Sequence, residues 1–155
     1  MAKAGIKINL KGFDKILEQL QEANVDIDVA ASQAIKESAQ IFQDELIAEA
    51  KAKNVPPDIT SQVRKETSHA GDRYSAEVGW KLENYDPKKP SAGYKAIFLN
   101  FGTVRRQTST GKNRGMIPKR SQDQQFIHMA KKNARSKIKK IQKEILKNAL
   151  GDLKK

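Results

Sequence analysis

Ser75-Ala76-Glu77-Val78-Gly79-Trp80-Lys81-Leu82 is the stretch whose reading decides the fold class. Ala76, Val78, Trp80 and Leu82 fall on one side of it and polar or small residues on the other, the period of two that marks a half-buried β-strand. A preceding strand over about Val63 to Ser68, turning at His69-Ala70-Gly71-Asp72, would complete an antiparallel hairpin. On both sides of this hairpin the periodicity becomes helical. Leu10, Phe13, Ile16, Leu17 and Leu20 recur in helical steps, and Asn24 to Asp28 reads as a break. A long helix from about Asp28 to Lys53 follows, with an apolar stripe of Ala31, Ala34, Ile35, Ala39, Phe42, Leu46 and Ala50 under an acidic and amide surface. Pro56-Pro57 cannot continue it. Asp58 to Gln62 fits either a loop or one helical turn. After a Pro- and Gly-bearing loop over Asn84 to Gly93, Tyr94, Ile97, Phe98 and Phe101 are spaced i, i+3, i+4, i+7, with Gly102 placed to end a short helix; a buried strand is the competing assignment. Ser121 and Gln124 have capping-box spacing and open a long helix to about Leu150, striped by Ile127, Ala130, Ala134, Ile138, Ile141, Ile145 and Ala149. The expected fold is α+β: two long amphipathic helices packed on a small antiparallel sheet. Residues 1–155 form a single domain with no internal repeat.

Composition excludes several function classes. The chain has 155 residues, no cysteine and two histidines. A disulfide framework, a thiolate zinc site and a cysteine nucleophile are therefore excluded, and a histidine metal cluster is disfavoured. No apolar run approaches the roughly 18 residues of a membrane span. The opening residues lack a signal-peptide apolar block, so synthesis in the cytoplasm is expected. Net charge is +12, and its distribution is uneven. Residues 1–103 carry 14 basic and 15 acidic side chains, whereas residues 104–155 carry 16 basic ones against Asp123, Glu144 and Asp152. Such asymmetry points to an anionic partner at one end of the chain.

Residues 104–116 have almost nothing to bury and four positive charges, the pattern of a mobile basic loop. Arg105, Arg106, Lys112, Arg114, Lys119 and Arg120 are the candidate contacts to DNA or an acidic neighbour. The lysines of the last helix (about 121–150) could likewise meet phosphates without reading base sequence. Phe126 is the sole aromatic residue there, which argues against base stacking, and no recognised nucleic-acid-binding signature is present. No catalytic set emerges. His69 falls in the proposed turn and His128 near the start of the last helix, and neither sits in a triad pattern. Glu45 and Glu49, one turn apart, fit a solvated acidic face better than a metal site. The chain is not expected to be an enzyme, and no cofactor is expected.

Glu77-Val78-Gly79, then Tyr94-Lys95-Ala96-Ile97-Phe98-Leu99-Asn100-Phe101-Gly102-Thr103, then Ile117-Pro118-Lys119-Arg120 and Phe126, follow the order of blocks in a phage protein family. Over nearly its whole length the chain resembles the tail-component family of long-tailed phages, which includes head–tail joining, tail completion and minor tail protein Z-like members. Asn100 stands where that family usually has Glu, and Pro57-Asp58-Ile59-Thr60-Ser61 replaces its Pro-Asp-Thr-Gly turn. The resemblance implies a structural protein of the virion neck or tail, made in the host cytoplasm and assembled as a homo-oligomeric ring, with other neck or tail proteins and packaged double-stranded DNA as partners and no membrane association. Asn100, Phe101, Gly102 and Thr103 become candidate subunit-interface residues, as does Trp80, whose plainer reading is core. A cellular protein binding nucleic acid nonspecifically is the alternative.

Overall fold

The computed structural model describes residues 4–71, 73–102 and 118–151. In chain order the elements are β1 (Gly5–Asn9), α1 (Asp14–Glu22), α2 (Ile27–Ala52), the single turn α3 (Pro57–Thr60), β2 (Arg64–Ala70), β3 (Arg73–Gly79), α4 (Ala92–Phe101), a 3-10 turn (Gln122–Gln124) and α5 (Phe126–Gly151). The fold is α+β, as the periodicities predict. The strands form one antiparallel sheet in the order β1-β3-β2.

β3 is central because its inward positions are the most apolar. Tyr74, Ala76 and Val78 are buried, and Ile8 of β1 lies opposite Ala76. Together with Ala31, Ala34, Ile35 and Phe42 of α2 they form one core. α5 lies along α2 and completes this core with Phe126, Ile127, Ala130 and Ala134. The two helices run antiparallel, with Glu45 level with Lys137 and Glu49 with Asn133, which sets the small buried residues Ala130 and Ala134 beside Leu46 and Ala50 near the end of α2. α1 closes the far end, where Leu20 meets Ala30 and Leu146 in a smaller cluster.

Two asparagines set the helix ends. Asn24 (φ 53°) and Asn54 (φ 58°) adopt the left-handed conformation just beyond α1 and α2. In each case the next valine closes the motif: Val25 N–H donates to Leu20 O (3.0 Å) and Val55 N–H to Ala50 O (2.9 Å). Asp26 then opens α2 by accepting from the Asp28 and Val29 amides at 3.1 and 3.4 Å.

Several boundaries differ from the sequence expectation, each for a physical reason. The helical pattern assigned from Leu10 begins only at Asp14, because Ala4, Ile6, Ile8 and Leu10 alternate along β1 and its exit. The central strand stops at Gly79 instead of running to Leu82, since Gly79 turns to φ 152° and redirects the chain. His69 and Ala70 lie within β2, paired with Tyr74 and Arg73, not in a turn. Asp58–Thr60 resolves as one helical turn with Pro57 at its first position. The Ser121–Gln124 box caps the 3-10 turn, Ser121 N–H donating to Gln124 Oε1 at 3.2 Å, and α5 starts at Phe126. Near its end the buried stripe of α5 moves from Ile141 to Gln142 and Leu146. Gln142 faces β1, its Nε2 donating to Asn9 O at 3.2 Å.

Candidate functional site

The blocks that set this chain apart converge where α4, β3 and the start of α5 meet. The Glu77-Val78-Gly79 block owes its glycine to a close backbone crossing. Gly79 pairs with Gly5. A Cβ on Gly79 would stand 2.3 Å from Ala4 O, and one on Gly5 2.0 Å from Val78 O. Past this crossing, Trp80 N–H donates to Ala4 O at 3.1 Å. The Trp80 indole turns inward, donates from Nε1 to Ile59 O at 2.7 Å and meets Phe126 edge-on with ring centroids 6.0 Å apart. Trp80 is 6% exposed, so this candidate interface residue is part of the core of its own chain.

α4 carries the aromatic block. Gly102 (φ 86°) ends it as predicted, donating to Phe98 O at 2.8 Å. Asn100 has no exposed surface. Its Oδ1 accepts the Ile127 amide at 3.0 Å, so it satisfies one of the free N–H groups at the start of α5, while its Nδ2 has no partner. Asn100 thus ties α4 to α5 inside the chain, where it has no surface to offer a neighbouring subunit. Phe101 and Gly102 are half-buried at the α4 exit. Tyr85, Tyr94 and Phe98 form a ring cluster beside them, with the Tyr85–Tyr94 centroids 5.0 Å apart and Tyr85 48% exposed.

The two ends of the basic segment meet here. Arg120 N–H contacts Phe101 O at 3.5 Å, so two residues that flank positions 103–117 lie side by side. Lys119 is exposed and Arg120 half-buried. Arg105, Arg106, Lys112 and Arg114, Thr103, and the expected mobile loop 104–116 lie outside the described residues.

The remaining candidates for chemistry have structural partners. Glu45 pairs with Lys137, and Glu49 accepts from Asn133 Nδ2 at 2.8 Å; the two carboxylates brace α2 against α5. His69 stacks on Tyr74 (4.3 Å, 14° between planes), whose hydroxyl donates to Asp28. His128 is half-buried on α5. Among the described residues no group of three or more His, Cys, Asp or Glu side chains could hold a metal ion. A shallow opening of about 310 Å³ lies over the Gly5–Gly79 crossing, rimmed by Arg64, Glu66, Glu77 and Lys81. It contains no nucleophile–base pair. No helix among the described residues is long and apolar enough to cross a membrane.

In this small α+β scaffold Glu45, Glu49, His69 and Trp80 have partners within the chain, and the distinctive blocks gather at one edge. The family described as "Bacteriophage HK97-gp10, putative tail-component" matches residues 14–102, more than half of the chain, and the chain belongs to this HK97-gp10-like family of phage tail structural components. No curated protein and no solved structure matches it.

Proposed function

We propose that this tail component joins or completes the tail at the neck or tail end as a subunit of a homo-oligomeric ring. In that ring Arg105, Arg106, Lys112, Arg114, Lys119 and Arg120 face packaged double-stranded DNA or an acidic neighbouring protein. The observation that carries the reading is the meeting of Phe101 and Arg120, which roots both ends of the basic segment at one point of the body. A ring subunit gains from such a rooted cluster because packaged DNA is a dense polyanion, and phosphate contacts position a protein without reading base sequence. Phe101, Gly102 and Thr103, at the root, are the proposed contact to the adjacent subunit; Trp80 and Asn100 act within the chain and support that edge from below.

Quantitative mass spectrometry of gradient-purified particles tests the placement. A fixed, low copy number matching one ring supports it, and absence from intact particles overturns it. Replacing the six basic residues by Gln should leave the thermal melting curve of the purified chain unchanged while lowering infectious titre. An undiminished titre removes the basic segment from the mechanism.

A further inference from the structure

The surface carries two charged stripes of opposite sign and equal spacing. On α1, Asp14, Glu18 and Glu22 recur every four residues, all exposed, on the side away from Leu17 and Leu20. On α5, Lys139, Lys143 and Lys147 repeat the same step, away from Ile138 and Ile145, and continue a basic stripe that begins with Lys131 and Arg135, all exposed. Each triplet spans eight residues, about 12 Å at the rise of an α-helix. Among the described residues none of the six side chains takes part in an ion pair or a side-chain hydrogen bond. Like charges one turn apart repel within a helix, and neither stripe is relieved by its own molecule.

We infer that the acidic stripe of α1 docks along the basic stripe of α5 on a second copy of this chain. The inference rests on the ring reading above and specifies one of its contacts. Within one chain, α1 and α5 meet through Leu20 and Leu146, which leaves both stripes facing solvent. Each copy therefore offers one stripe to one neighbour and the other stripe to the next. Such a contact is head-to-tail, and it closes a ring when the rotation between copies permits. With identical spacing, three carboxylates can stand opposite three basic groups, and because the α5 stripe is longer by Lys131 and Arg135, a slip of one or two turns toward those residues keeps three pairs while a slip the other way loses one. Exposed ion pairs contribute little affinity singly, so the stripes steer encounter and select the face that docks, and the association weakens with salt.

The test is sedimentation velocity of the full chain at low and high ionic strength, with three variants. One carries Asp14→Lys, Glu18→Lys and Glu22→Lys; one carries Lys139→Glu, Lys143→Glu and Lys147→Glu; the third carries all six. Each triple variant should self-associate about 10- to 100-fold more weakly than the parent, since three exposed pairs are lost. An equimolar mixture of the two triples, and the sixfold swap alone, should recover association, which a merely unfolded variant cannot do. Failure of the swap to restore association overturns the inference, as does a parent chain that is monomeric at low salt. So does a lysine triple that loses retention of duplex DNA while self-association is untouched, which assigns the α5 stripe to nucleic acid. The copy number per particle is measured separately, so the ring reading can stand when this contact fails.

Discussion

Replacing Gly79 by Ala isolates the physical reason for the Glu-Val-Gly block. Two costs combine at this position. Its φ of 152° lies where an L side chain is strained, about 1–3 kcal/mol. The added Cβ would also stand 2.3 Å from Ala4 O and 2.5 Å from Gly5 Cα, both backbone atoms that move only if β1 shifts. Overpacking of this kind costs about 1–3 kcal/mol more. The expected loss is thus about 2–6 kcal/mol, a large part of the roughly 5–15 kcal/mol that holds a domain folded. Two companion variants separate the terms. Gly5→Ala meets Val78 O at 2.0 Å without a positive φ, so it carries the clash alone. Gly12→Ala, at φ 96° with no atom within 4 Å, carries the strain alone. Urea unfolding followed by circular dichroism should rank them Gly79→Ala as most destabilising, with the two others smaller. A Gly79→Ala midpoint within about 1 kcal/mol of the parent, at unchanged slope, would refute the crossing as the reason for that glycine.

Three further outcomes follow from the same contacts. Trp80→Phe keeps an aromatic ring but removes one of the two donors to Ile59 O, which still accepts from Gln62 N–H at 3.1 Å, and should cost about 0.5–1.5 kcal/mol in urea unfolding; a neutral result would deny the indole hydrogen bond a structural role. Asn100→Leu removes the acceptor of the Ile127 amide and should destabilise by a similar amount, with hydrogen exchange at the start of α5 accelerated before that of β3; uniform acceleration would contradict a local tie between α4 and α5. Glu45→Gln, at a pair whose lysine is more than half exposed, should change stability by less than about 1 kcal/mol and should flatten its dependence on salt.

How much of this was legible in the sequence depends on how far each feature's cause lies along the chain. The stripe from Ala31 to Ala50 is local, and every one of its seven residues is buried. Gly102 could be placed because a helix end demands a residue tolerant of positive φ, and Asn24 and Asn54 carried the same signal in subtler form. β1 was missed although Ala4, Ile6, Ile8 and Leu10 alternate. Five residues with a lysine at their centre form too short a pattern to stand out until a partner strand about 70 residues away pairs with them. That omission propagated: Gln142 is inward on α5 because Asn9 O offers it a bond, and no helical periodicity would bury a glutamine. Trp80 and Asn100 share this logic. Each was marked by its place in a block and a residue type suited to contact, yet the partners that claim them, Ile59 O and the Ile127 amide, are 21 and 27 residues away.

The same separation explains why a motif can be specific without being a binding site. Glu-Val-Gly encodes a backbone crossing, and Asn100 supplies the acceptor that a helix start needs; both requirements are met within one chain. Those residues hold α4, β3 and α5 in a fixed relation, and their reach toward any partner is indirect. Among the described residues, what remains free to meet another molecule is what the core does not use: the basic stripe of α5 and the acidic stripe of α1. Exposed charge costs a fold little and is cheap to redistribute, so stability places almost no constraint on its sign. The concentration of positive charge in the last third of this chain therefore fits the proposed contact with an anionic partner. Partner contact, unlike packing, is expected to respond to salt, to charge reversal and to the restoring swap.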